Sequence, residues 1–234
     1  MSAGDIRQLP LALQLRSPTR LDDFIAGDNA PLLELLQQQR GQQPEGLIFI
    51  AGEPGSGRSH LLLGQCTAAQ QAGLQVAYLP CHERDSLDPA MLQGLEQLDL
   101  VAIDDVDLLA GQADWELALF NLFNRARERG CRLLFSAAQI ATHCGFALAD
   151  LQSRLGWGIS YRLRPLDDTQ REQLLCALAA RRGLQMPADV ARYLVQRHTR
   201  DTRSLQQLIE RLDRDSLAEQ RRLSIPFVRT RIDS

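Results

Sequence analysis

The chain has 234 residues, 44% hydrophobic and 24% charged, which suits a soluble globular protein of one large or two small domains. Its net charge is −3 and its arginines are scattered among acids, which disfavours sequence-independent binding to nucleic acid. Cysteines at 66, 81, 131, 144 and 176 show no C-x-x-C spacing, so neither a disulfide framework nor a structural zinc site is expected. Cys81-His82 and His143-Cys144 are read as incidental pairs. No charged-then-apolar leader opens the chain and no run nears ~18 apolar residues, so no membrane span and a cytoplasmic location are expected.

Residues 1–20 read as an extended segment detached from the fold. In Gln8-Leu9-Pro10-Leu11-Ala12-Leu13 the leucines alternate, so an extended chain puts Leu9, Leu11 and Leu13 on one face, and Pro10 and Pro18 discourage a helix. Two readings stay open: an edge strand lying on the domain, or a short linear motif whose Gln8 and leucines enter a partner's pocket. Phe24-Ile25-Ala26-Gly27-Asp28-Asn29 then leads into an amphipathic helix from Ala30 to about Gln39.

The stretch Leu47 to His60 organises the rest. An apolar run fit for a buried strand ends in Gly52-Glu53-Pro54-Gly55-Ser56-Gly57-Arg58-Ser59-His60, and a helix follows. Gly52 and Gly57 take the glycine positions of the G-x-x-x-x-G-K-[ST] phosphate loop, and Ser59 takes the hydroxyl position. Glycines let successive N–H groups curl around an anion, and the helix N-terminus adds its dipole. Nucleotide binding through 52 and 54–60 is therefore expected, with Ser59 on Mg²⁺. Arg58 departs from the pattern, putting a planar fork where a compact ammonium is usual.

Downstream, a helix to about Ala72 with Gly73 as cap precedes a strand at 74–79. Residues 82–98 connect onward with a helical patch near 88–96. Leu98 to Asp105 is an apolar strand ending in two acids. Asp104 is expected to hold Mg²⁺ and Asp105 to orient or activate a water. A helix at 114–129 carries Trp115, Leu119, Leu122 and Phe123 at core spacing. The strand at 132–136 ends in Ser136, either a γ-phosphate sensor or the cap of a turn. A short helix at 148–154, the break Gly156-Trp157-Gly158 and a strand at 159–163 complete a parallel α/β sheet that binds ligands at its carboxyl edge. Beyond Pro165, Asp167-Asp168-Thr169-x-x-Glu172 starts a set of three helices near 168–182, 188–198 and 201–219. The expected domains are thus 1–20, an α/β nucleotide-binding domain at 21–165 and a helical lid at 166–234.

Together the phosphate loop, the strand-end acids and a helical lid resemble the AAA+ P-loop ATPases. Ser153-Arg154-Leu155-Gly156-Trp157-Gly158 is similar to the S-R-x-G-W-G segment of the bacterial initiator DnaA, which implies that Arg154 is an arginine finger. Phe24 to Asn29 resembles the DnaA lead-in near the adenine, which brings in Ile25, and Asp201-Thr202-Arg203 resembles the lid sequence that makes Arg203 a second sensor. Gln8 to Leu13 is similar to the Q-L-x-L-x-L motif that docks on the polymerase sliding clamp, and no room is expected for the flanking domains of DnaA. That combination, with Leu223 to Val228, resembles the Hda branch of the DnaA/Hda family, whose members inactivate DnaA. The resemblance implies partners (DnaA and the DNA polymerase III sliding clamp, the beta subunit), bound ADP or ATP with Mg²⁺, and Arg154 acting on DnaA-bound ATP. Weak or no turnover of its own is expected, a homo-oligomer is possible, and no sequence-specific DNA binding is expected. Arg58, and Ala138 where DnaA has an aspartate, fit a receptor of ADP. The competing reading is an independent AAA+ ATPase of the helicase-loader kind, and a DNA-binding initiator relative is a third. For the third, the interleaving of Arg211, Arg214, Arg221 and Arg222 with Asp213, Asp215 and Glu219 is a solvated face rather than a basic patch.

Overall fold

A computed structural model of the chain describes residues 19–38, 46–197, 202–219 and 221–232, without the side chains of Thr202, Arg203 and Ile232. Gln8, Leu9, Leu11, Leu13 and the Arg203 side chain lie outside the described part. Chain contacts divide the molecule into two units. One takes in Arg20, Leu21 and residues 32–52 and 58–163, the other residues 22–31, 53–57 and 164 onward.

Five strands build the first unit: β1 (Leu47–Ala51), β2 (Val76–Pro80), β3 (Leu100–Asp104), β4 (Arg132–Ala137) and β5 (Ile159–Arg162). All pair in parallel in the order β2-β3-β4-β1-β5. Strands covered by helices on both faces are largely apolar, and β1, β3 and β4 are buried at every position, with Asp104, Arg132 and Ser136 as their polar members. At the edge, β5 is only half covered. The connecting helices are α1 (Ala30–Gln38), α2 (Arg58–Gln71), α3 (Ala113–Arg129) and α4 (Ala149–Leu155). Phe49, Val101, Ile103, Leu119, Leu122 and Phe135 form the centre of the core.

Register decides what meets at the carboxyl edge. Ile50 is level with Ser136 across β1 and β4, and Ile103 is level with Phe135 across β3 and β4. Because β4 lies between β1 and β3, Ser136 stands one residue past Phe135, beside Asp104.

The second unit carries α5 (Asp168–Arg181), α6 (Ala188–Arg197), α7 (Thr202–Glu219) and α8 (Ile225–Ile232) around Leu175, Leu194, Leu212 and Val228. The helix starts within the expected signature: Asp167 caps α5, and its reciprocal partner is Gln170. Gln170 N–H donates to Asp167 Oδ1 at 2.7 Å and Asp167 N–H donates to Gln170 Oε1 at 3.0 Å. Residue 170 is the third helical position, the one from which a side chain reaches back to the cap.

Two expectations need correction. Residues 88–96 form no α-helix: short 3-10 turns occupy Cys81–Ser86, Pro89–Leu92 and Leu95–Gln97. Gly94, in the left-handed conformation at φ 87°, interrupts any continuous helix there. The lid also has a fourth helix, α8, beyond the three expected. It is only eight residues long and its second residue is Pro226, so its stability comes from burying Phe227 and Val228, which no local pattern announces. No described helix is long and apolar enough to cross a membrane.

Candidate functional site

The turn between β1 and α2 has the backbone a phosphate loop needs. Gly55 and Gly57 lie at φ 78° and 95°, where side chains are strained, and a Cβ on Gly57 would come within 2.7 Å of the Phe24 ring. Gly52 N–H donates to Ala137 O at 3.1 Å, fastening the end of β1 to β4. Pro54 lies in the same turn, which Ser56 N–H closes on Glu53 O at 3.1 Å. Ser59, on the first turn of α2, is exposed, and the His60 ring lies 3.0 Å from Arg20 O. Ile25 packs against the helical core of its own unit instead of standing open.

Beside α2 the acids form a braced cluster. Asp104 is fully buried, and the Tyr78 hydroxyl donates to its Oδ2 at 2.7 Å. The Ser136 hydroxyl donates to Asp104 Oδ1 and accepts from Asp105 N–H at 2.9 Å. Asp105 is the one non-glycine residue of positive φ, 55°, among the described residues. Burial first, and the neighbouring Asp104 charge second, push the Asp105 carboxyl above its ordinary range, with Arg58 opposing them. Burial and the Asp104 charge likewise push the Cys66 thiol up to about 12, so it is a neutral packing group.

Arg58 Nη2 pairs with Asp105 Oδ1 at 2.8 Å, with the arginine side chain 10% exposed and the carboxylate 24%. Asp107 Oδ2 accepts Ala138 N–H at 3.1 Å. Ser56 Oγ, Arg58 Nη1 and Asp107 Oδ1 are buried with no partner. Gln65, Thr67 and Arg211 also carry unpartnered buried atoms, so it is the grouping of Ser56 and Arg58 in one glycine turn that sets these apart. The Ser56 hydroxyl and the Arg58 guanidinium are donors that fit phosphate oxygens, whereas Ser59, Asp104 and Asp107 are hard oxygen groups of the kind Mg²⁺ takes, directly or through water.

A second cluster lies at the other end of the sheet. A Cβ on Gly158 would fall 2.2 Å from the carbonyl of Leu47, so this segment packs on the first residue of β1. Arg154, in the last turn of α4, stacks its guanidinium over Phe120, Phe123 and Trp157 at 4.7, 5.7 and 5.4 Å, and Arg127 covers Trp157 at 5.1 Å. Trp157 remains 58% exposed. At roughly 3.3 Å per residue, β1 separates this end from the phosphate loop by on the order of 15 Å. The structure therefore does not bring Arg154 together with Arg58, Asp104, Asp105 and Ser136.

Sequence reasoning missed Tyr78, Asp107 and Phe120. Asp107 had a usable signal, as a third acid two residues past the pair. Tyr78 and Phe120 read as ordinary strand and helix residues, and only the sheet order and the packing of α3 on α4 give them neighbours.

Residues 15–162 match the family model of the bacterial DnaA ATPase domain, and residues 168–232 match the Hda lid domain. Domain III of DnaA from Thermotoga maritima superposes with a TM-score of 0.79 at 19% identity, over 92% of this chain and 95% of that one. AMPPCP-bound DnaA from Aquifex aeolicus gives 0.72 at 20%, over 88% and 71%. The Holliday junction branch migration motor RuvB from Thermotoga maritima gives 0.71 at 16%, over 94% and 73%. With a phosphate-loop turn, strand-end acids and a lid of this type on one chain, the protein belongs to the bacterial DnaA ATPase-domain family and is of the Hda type.

Proposed function

We propose that this protein is a regulatory inactivator of DnaA: a nucleotide-bound AAA+ module that docks on the DNA-loaded sliding clamp and presents Arg154 to ATP held by DnaA, so preventing re-initiation. The observation that carries the reading is the position of Arg154. It stacks on aromatic rings at the sheet end remote from the chain's own phosphate loop, so it suits a nucleotide on a neighbouring molecule. Aromatic faces hold a guanidinium without neutralising it, which leaves its charge for a polyanion.

In this reading the chain's own residues divide the work. Gly52, Pro54, Gly55, Ser56, Gly57, Arg58, Ser59 and His60, with Ile25 and Arg203, hold a resident ADP or ATP, and Asp104 with Ser59 holds its Mg²⁺. When bound, Mg²⁺ supplies charge neutralisation between phosphates. Ser136 fixes the backbone and side chain of the two strand-end acids. Gln8, Leu9, Leu11 and Leu13 supply the clamp motif, and a self-associated form could bury them. The location is the cytoplasm.

The test is hydrolysis of DnaA-bound ATP in the presence of clamp loaded on DNA. Wild type accelerates it, and Arg154→Ala loses the effect while still binding clamp. Failure of wild type to accelerate sinks the reading, and sustained turnover by the protein alone would make it an independent ATPase instead.

A further inference from the structure

Two arginines two positions apart on α3 are put to different uses. Arg125 is spent inside the protein: its Nε donates to Glu96 Oε2 at 3.1 Å and its Nη2 to Leu92 O at 3.4 Å. Arg127 meets no carboxylate among the described residues, and its guanidinium lies 5.1 Å over Trp157, the ring that Arg154 covers at 5.4 Å. Helical spacing explains the placement. Phe120, Phe123, Asn124 and Arg127 stand at i, i+3, i+4 and i+7, one stripe of α3, and α4 lays Arg154 over the two phenylalanine rings. Phe123 meets Trp157 edge-on, with centroids 6.1 Å apart and planes at 82°. Asn124, Arg127, Glu128 and Arg154 line one open recess of about 530 Å³. Two guanidinium charges on its wall face one carboxylate, and among the described residues Glu128 forms an ion pair with neither.

We propose that Arg127 is a second polyphosphate-binding residue of this surface: it grips the phosphate chain of the nucleoside triphosphate that Arg154 addresses on the partner molecule, and so selects a triphosphate-loaded partner over a diphosphate-loaded one. The inference rests on the reading of Arg154 given above. A carboxylate needs only one guanidinium fork, which takes both its oxygens. Two uncompensated forks on one recess match a ligand with several anionic groups in a row, and a triphosphate has three. Holding two like charges around one indole also costs the free protein Coulomb repulsion, which a polyanion relieves. The two arginines divide the work by how firmly each is held. Arg154 rests on three rings and is the more preorganised, as stabilisation of a transition state requires. Arg127 rests on one ring, itself exposed, and acts in ground-state binding. A contact already complete in the ground state lowers the concentration needed without raising the rate at saturation.

The experiment titrates the full chain and its variants Arg127→Gln and Arg127→Lys, each checked for a cooperative melt, against ATP-loaded DnaA with clamp on DNA. It reads the half-saturating concentration and the saturating rate of hydrolysis, and binding to ADP-loaded DnaA is measured alongside. Arg127→Gln raises the half-saturating concentration about tenfold or more, the scale of a lost charge-assisted bond, and leaves the saturating rate within about twofold. Its affinity for ADP-loaded DnaA falls by less than about threefold. Arg127→Lys, which keeps the charge, recovers most of the loss. A half-saturating concentration within about twofold of wild type overturns the inference while the reading of Arg154 stands. An equal loss toward ATP-loaded and ADP-loaded DnaA also overturns it, by placing a partner carboxylate against Arg127. So does a lysine variant as poor as glutamine, which would reduce Arg127 to a cover for Trp157. If wild type accelerates nothing, or Arg154→Ala matches it, the reading of Arg154 falls and the inference falls with it.

Discussion

Arg58 and Arg154 occupy opposite ends of one parallel sheet, and the chemistry around them differs as sharply. Arg58 is nine-tenths covered and spends a nitrogen on the Asp105 carboxylate. Arg154 has three aromatic rings beneath it, one of them the exposed Trp157. A carboxylate cancels a guanidinium's charge at close range, whereas a ring's quadrupole only orients it. In the proposed reading, the first arrangement belongs to the chain's own nucleotide site and the second holds a cation for a nucleotide on another molecule. Their different partners are what the proposed function assigns to two different tasks.

The comparison breaks most plainly at Arg154. Arg154→Ala should lower the stimulation of DnaA-bound ATP hydrolysis by on the order of 10³-fold, the scale of a missing arginine finger, read as phosphate release under single turnover. Equal stimulation by the variant would falsify the outward-facing role.

Next in size is the footing of the aromatic shelf. Glu116, buried on α3, accepts Gly111, Ala147 and Leu148 N–H at 2.6, 3.0 and 2.7 Å, tying α3 to the loop before α4. Glu116→Ala strands three donors and should cost about 3 kcal/mol, measured by urea unfolding. Burial pushes this carboxyl up, but the three N–H bonds outweigh it and hold the pKa below the ordinary glutamate range. A depressed folded value means stability that is fully present above the ordinary range and lost as pH falls through the folded value. The acid limb of the wild-type stability curve should therefore flatten in the variant. An unchanged acid limb would remove Glu116 from this account.

At the opposite end, Ser136→Ala leaves Asp105 N–H and one oxygen of buried Asp104 without their partner. A loss of about 1–2 kcal/mol is expected in thermal melts, together with weaker nucleotide binding. Loss of stability with nucleotide affinity intact would confine Ser136 to bracing the fold. The smallest effect belongs to Trp157→Ala, which removes one ring from Arg154. About 0.5–1 kcal/mol, a few-fold in stimulated rate, should go, and Trp157→Phe should restore most of it. A phenylalanine variant as poor as alanine would mean that something other than the ring face matters there.

How much of this was legible beforehand differs from residue to residue. Apolar runs through β1, β3 and β4 identified buried parallel strands, because strands covered on both faces take polar residues only where partners satisfy them, as at Asp104 and Ser136. Gly57 and the acids at 104 and 105 were visible because turn geometry and strand ends leave local marks. The pairing of Arg58 with Asp105 was not visible, since those residues are 47 positions apart and meet only through the order β3-β4-β1. Ser136 was noticed as a strand-end hydroxyl, but its two bonds depend on the register of β3 and β4. Phe120 belonged to a helix whose repeat spoke of core. Only the docking of α4 on α3 turned its ring toward Arg154.

By itself, then, the sequence determined most of the elements, the glycine pattern of the turn after β1 and the kinds of charge available, because dihedral preference, hydrophobic period and side-chain chemistry are properties of neighbours along a chain. The tertiary structure decided which charge meets which. Opposite charges far apart in sequence are brought into contact by strand order and register, and the same fold left one arginine cancelled by a carboxylate and the other resting on rings.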